Sequence, residues 1–213
     1  MLPFLALVFL WGWTAPPCHG QDRGRSEATE RKPADQSKPL FSGPQKGEPL
    51  PSVEVWELQP GDEASRKVDL GAVARQHPTV IVFMHEKSRP AFALGRVLSA
   101  FAKRKQQEQL HLYFVVLSDN RSESEKWLKM IRRYFDPSTR LAVAEGGIEG
   151  PGALGLNRLV ALTILVAKDG TVHENFAFTQ VTPAVDAPPV LEAINAITGG
   201  GPIPSVQELI PRS

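Results

Sequence analysis

Five consecutive polar residues, His85-Glu86-Lys87-Ser88-Arg89, stand between the apolar run TVIVFM and an amphipathic stretch that begins at Ala91. Three chemistries are within reach of these residue types. A helix opening at Ser88 would present free backbone N–H groups and the positive end of its dipole. Arg89 would add a planar fork, and together they suit a carboxylate or phosphate. His85 beside Glu86 could hold a metal or move a proton. Ser88 could be a nucleophile if a base stood next to it.

Spacing weakens the last two. HEKSR is not HExxH, because the residue four after His85 is Arg89. His77, His111 and His173 fall on other predicted elements with no ligand spacing between them. Ser88 lies in no G-x-S-x-G elbow, and GGIEGPGALG has neither the Lys-Ser/Thr of a phosphate loop nor dinucleotide spacing. No catalytic residue, metal site or cofactor is therefore assigned from motifs. Anion or partner binding at His85, Glu86, Ser88 and Arg89 is the leading expectation. A metal-binding protein or non-redox enzyme using His85 and Glu86 is the alternative. A plainer reading stays open beside both: Ser88 only caps a helix and the charges are a solvated loop.

The elements that must position this corner follow from periodicity. Residues 53–58 (VEVWEL) alternate as a half-buried strand, and 66–68 can pair with them after Pro60-Gly61. Asp69 is placed to cap a short helix over Leu70–Gln76. Thr79–Met84 is a continuous β-branched and aromatic run, the pattern of a strand covered on both faces. Ser88 opens a helix with Pro90 in its first turn, and Phe92, Leu94, Val97, Leu98, Phe101 and Ala102 give that helix its apolar stripe. A strand over 110–117 follows. A helix then runs through Tyr134, with Ser122 and Glu125 in capping-box spacing. After a strand at Arg140–Ala144, a glycine-rich crossing leads to a hairpin of 161–167 and Thr171–Phe178 around Lys168-Asp169-Gly170. A helix over 188–197, ended by Gly199, closes the order. Helices alternating with buried strands imply an α/β fold with a mixed sheet.

Composition sets the context. Twenty-four Lys and Arg against 23 Asp and Glu leave a formal charge of +1, without the basic excess of a nucleic-acid binder. Residues 2–13 form an uncharged apolar run of 12, followed by Pro16, Pro17, Cys18 and Gly20. This suits a secretory signal over 1–20, cleaved near Gly20, and is too short to span a bilayer. A secreted or periplasmic location follows, with no membrane span after cleavage. Cys18 is the only cysteine, so a processed chain would have no disulfide and no thiol nucleophile. Residues 21–51 read as a flexible linker, 52–198 as the folded domain and 199–213 as a loose C-terminal tail whose apolar 206–210 can pack back.

This order resembles the thioredoxin-like superfamily, in the variety with an N-terminal β extension and an extra helix found in peroxiredoxins and secreted thiol–disulfide oxidoreductases. The resemblance covers roughly residues 53–197. Counting five from the strand aromatic Phe83 reaches Ser88, so Ser88-Arg89-Pro90-Ala91 takes the place of the family's Cys-x-x-Cys, with the proline kept and both cysteines gone. The family's cis-proline falls near Leu162, and no proline is there. The resemblance thus implies a redoxin-like scaffold that is redox-inactive, because a serine hydroxyl neither ionises near neutral pH nor forms a mixed disulfide. It also implies that Asn157 and Arg158, in the loop that faces the corner in this family, are further binding candidates. The function expected is a binding module for a protein or peptide partner or another ligand.

Overall fold

The structure, a computed structural model, describes residues 40–61 and 63–210. The signal over 1–20, Cys18, most of the linker and residues 211–213 lie outside the described residues.

A hairpin of β1 (Glu54–Glu57) and β2 (Arg66–Asp69) opens the sheet. It runs directly into α1 (Leu70–Gln76), capped by Asp69, whose carboxylate accepts the N–H groups of Gly71 and Val53. Next come β3 (Thr79–Met84), α2 (Arg89–Arg104), β4 (His111–Leu117), α3 (Arg121–Ile131) and β5 (Arg140–Ala144). The order ends with β6 (Leu162–Lys168), β7 (Thr171–Phe178), α4 (Pro183–Ile197) and the short α5 (Val206–Leu209).

The seven strands form one sheet in the order β2-β1-β5-β4-β3-β6-β7. Strands β3, β4 and β5 are parallel; β1, β6 and β7 join antiparallel. Every residue of β3 is buried, as its unbroken apolar run requires of a central strand. Apolar layers form on both faces. One is built from α2, α4, α5 and the inner side of α3 against Val80, Val82 and Met84. The other sets α1 and Leu50 against Ile81, Phe83, Tyr113 and Val115.

Three details differ from the sequence reading. The cap of α3 is Asn120, not Ser122: its side-chain oxygen accepts the Glu123 N–H at 3.1 Å, two residues earlier than the Ser-x-x-Glu pattern suggests. Helix α4 starts at Pro183 rather than at residue 188, so Pro188 and Pro189 sit inside it. The Asp186 carboxylate reaches back to the Thr182 N–H and steadies that additional first turn. The capping box belongs to α5, between Ser205 and Glu208.

Both flanks of the domain are tied to it. Residues 42–50 form a strap along β7. Gly47 N–H donates to Val172 O, Val172 N–H to Glu48 O and Leu50 N–H to Gly170 O. The strap covers part of a sheet edge that would otherwise expose unpaired backbone groups. In the tail, the buried Lys105 ammonium donates to Gly200 O at 2.7 Å, and Val206 and Leu209 pack into the α2–α4 layer.

Candidate functional site

The corner between β3 and α2 divides its polar residues between the two faces of the sheet. Alternation along the strand sends His85 to the face of Phe83, while α2 leaves the corner to cover the opposite face with Met84. His85 is buried, 7% exposed, whereas Glu86, Lys87 and Arg89 reach solvent and Ser88 is half-buried. The sequence places these residues side by side; the structure separates them into two environments.

On the inner side His85 joins a hydrogen-bond chain whose direction chemistry fixes. Its Nδ1 lies 2.8 Å from the Ile148 carbonyl, which can only accept, so Nδ1 carries the proton. Burial holds His85 below the usual imidazole pKa, despite the opposing Ile148 hydrogen bond, so the ring is neutral and Nε2 accepts. Nε2 lies 2.9 Å from Thr163 Oγ1, and Thr163 Oγ1 is 2.7 Å from Ser42 Oγ. Ser42 Oγ in turn accepts the Asn157 N–H at 3.0 Å. The protons therefore run from Asn157 N–H through Ser42 O–H and Thr163 O–H to His85 Nε2, and each group is used.

Asn157 is likewise occupied: its Nδ2 donates to Phe41 O and its Oδ1 accepts the Leu159 N–H. Gly147 turns the loop toward His85 with φ +65°, and a Cβ there would stand 2.8 Å from an Asp119 carboxylate oxygen. Thus the structure brings His85 and Asn157 into one network. Arg158 lies outside it, exposed, its guanidinium 3.8 Å from Glu149.

On the outer side, Ser88 caps α2, its hydroxyl accepting the Ala91 N–H at 3.3 Å. Pro90 falls in the first turn, where its missing N–H costs nothing. Phe92, Trp127, Ile131 and Tyr134 line an open groove of about 260 Å³ beside this cap, with Lys87 and Arg89 on its rim. The Lys87 ammonium sits 5.2 Å from the centre of the Trp127 ring. Phe92 meets Tyr134 and Phe135 edge-on, and Arg96 and Arg133 stand over the Tyr134 ring. Among the described residues no acid pairs with Lys87 or Arg89. Sequence reading found the two cations but missed the aromatic groove, because Trp127 and Tyr134 lie on α3 and the turn after it. Their apolar spacing reads as ordinary core packing.

The corner holds no thiol. Nor do three or more His, Cys, Asp or Glu converge anywhere among the described residues in a way that could hold a metal ion. Leu162 follows Ala161, whose carbonyl accepts the N–H groups of His85 and Glu86, and no described peptide bond is cis.

Comparison with known proteins places the architecture. No family model matches the chain, and no curated protein matches it. Solved structures do. A protein of Chlorobium tepidum assigned as the thiol:disulfide interchange protein DsbE superposes with a TM-score of 0.55 at 16% identity, over 73% of this chain and 99% of its own. A secreted thiol-disulfide isomerase of Corynebacterium glutamicum gives 0.53 at 13% identity, over 70% and 85%. A hypothetical protein of Sinorhizobium meliloti gives 0.53 at 10% identity, over 76% and 87%. At such identities the likeness is one of fold.

Proposed function

From a thioredoxin-like fold whose corner carries Ser88 and Ala91 where the oxidoreductases of this fold carry cysteines, we propose that the chain is a secreted or periplasmic binding module without redox activity. Residues 1–20 are its export signal and the chain up to the strap is its tether. The partner is a protein or peptide segment that sets a large apolar side chain next to acidic ones.

The observation that supports this reading is the pairing of an apolar groove with unneutralised cations. The floor of Phe92, Trp127, Ile131 and Tyr134 takes an aromatic or branched side chain. Lys87 and Arg89 on the rim take the carboxylates. Glu86 sits beside them and disfavours a uniformly acidic strand, which favours a mixed segment over a polyanion. His85 and Asn157 act from behind, fixing the corner without touching the partner.

Selection of random displayed peptides on the mature chain tests this, with counter-selection on a Lys87→Ala/Arg89→Ala variant. Peptides enriched for Asp or Glu beside an aromatic residue are expected, binding the variant about tenfold or more weakly and losing affinity with added salt. Peptides that bind both proteins equally, or disulfide reductase activity in the mature chain, would overturn the reading.

A further inference from the structure

A second concavity lies at the opposite end of β3 and β4, away from the corner. It is lined by Arg66, His77, His111, Tyr113 and Arg140, with the polar Gln76 from α1, and measures about 380 Å³. The imidazoles of His77 and His111 are stacked, centroids 4.2 Å apart and planes inclined by 29°. Neither ring makes a hydrogen bond, and the Nδ1 atom of each is buried without a partner. Two orphaned nitrogens in one place cost stability that a folded protein normally avoids, so they need a reason.

The charges around the rings supply one. Arg66 from β2 and Arg140 from β5 share a single carboxylate, each 3.1 Å from a different oxygen of the buried Glu57 on β1. One unit of positive charge is left over. Asp69 on β2 is committed to the α1 cap and to Ser52, and the Lys67 ammonium to Glu54. Tyr113 on β4 lies under Arg140, and burial pushes its hydroxyl up to about 12, so it stays protonated and able to donate. Beyond the committed Asp69 and Lys67, the polar groups facing the concavity are thus two arginines that share one carboxylate, the Tyr113 hydroxyl, the Gln76 amide and the two imidazoles.

We propose that this concavity binds a small oxyanion, a sulfate, phosphate or carboxylate group, and that binding draws a proton onto the His77–His111 pair. Without the anion His111 resists protonation, because burial, Arg140 and the neighbouring ring all hold it down, to about 4. The anion reverses that balance. Because this site shares no residue with the groove at the corner, each reading can fail without the other.

Sulfate is the probe, since it remains a dianion across the useful pH range. Titration of the mature chain with sodium sulfate, against sodium chloride at equal ionic strength, is followed by the ring signals of His77 and His111 in nuclear magnetic resonance. Sulfate is expected to move the His111 midpoint upward and to bind at least fivefold more tightly at pH 5.5 than at pH 7.5. A His111→Phe variant, which keeps the aromatic stack, should lose that pH dependence. Ring signals indifferent to sulfate at both pH values, or a variant with unchanged pH dependence, would overturn the proposal.

Discussion

His85 Nε2 and Thr163 Oγ1 lie 2.9 Å apart although 78 residues separate them in the chain. Thr163 is fully buried and is the link that passes hydrogen bonding from the strap to the corner. Thr163→Val preserves shape but strips both His85 Nε2 and the Ser42 hydroxyl of a partner. Each orphaned buried group costs about 1–3 kcal/mol, so a loss of about 2–6 kcal/mol is expected. Thr163→Ser should cost less than about 1 kcal/mol. Urea midpoints of the two variants check this, and equal midpoints would refute the chain as a stabilising unit.

Acid should weaken the fold from near the ordinary imidazole value downward. His85 and His111 are held below the ordinary imidazole value of 6.5, His111 at about 4. Below 6.5 the unfolded chain takes up protons that the folded chain refuses. Stability is therefore complete above that pH and falls as pH drops toward 4. Denaturation midpoints at pH 7.5, 6 and 5 should decline in that order in chloride buffers. The decline should be shallower in His111→Phe.

Gly95 lets α2 lie close against the sheet. A Cβ at this position would stand 2.5 Å from Cε2 of Phe114, a ring with 1% exposure on β4. Gly95→Ala gains helix propensity but forces the ring or the helix to move, and a net loss of about 1–3 kcal/mol is expected. Adding Phe114→Leu should recover part of it. Thermal unfolding of the single and double variants measures both effects.

Ser88 sits where a thiolate would be favoured. It caps α2, its oxygen faces the Ala91 N–H, and Lys87 and Arg89 flank it. In a Ser88→Cys variant the thiol should titrate at least about 1 unit below the free-cysteine value of about 8.5. Thiolate absorbance against pH gives the number directly. An ordinary value would mean that the helix end and its cations exert little field at this position, which would also undercut the groove as an anion-seeking surface.

Much of the scaffold was legible because single residues there answer to local physics. Asp69 caps α1 and Ser88 caps α2 as their types require, and the unbroken run of β3 is central and fully buried. The failures have local causes too. At the start of α3, Asn120 and Ser122 both offer an oxygen, and only the path of the chain leaving β4 selects Asn120. Pro188 is a good first-turn residue, but the Asp186–Thr182 contact supports a start five residues earlier. The strap was invisible for a different reason. Nothing in the composition of residues 42–50 signals that Ser42 will be fully buried against Thr163, a partner 121 residues away. The site split in the same manner: the sequence displays His85 and Arg89 as near neighbours, and only the two faces of the sheet reveal that they serve different surroundings.

The strap also decides how the domain would bear a pull. Tension applied to the chain ahead of Leu40 meets Phe41 and Ser42 first, bonded to Asn157 and Thr163, then Gly43, bonded to Gly155 O, and then the contacts to Val172 and Gly170 in succession. These bonds are loaded one at a time, as a zipper opens from its end, while the seven-stranded sheet behind them carries no load. Ser42 leaves early in that sequence and takes its hydroxyl away from Thr163, so the first mechanical event at the terminus deprives His85 of its ordered partner chain. A tug on this end of the domain would register at the corner well before the fold itself gave way.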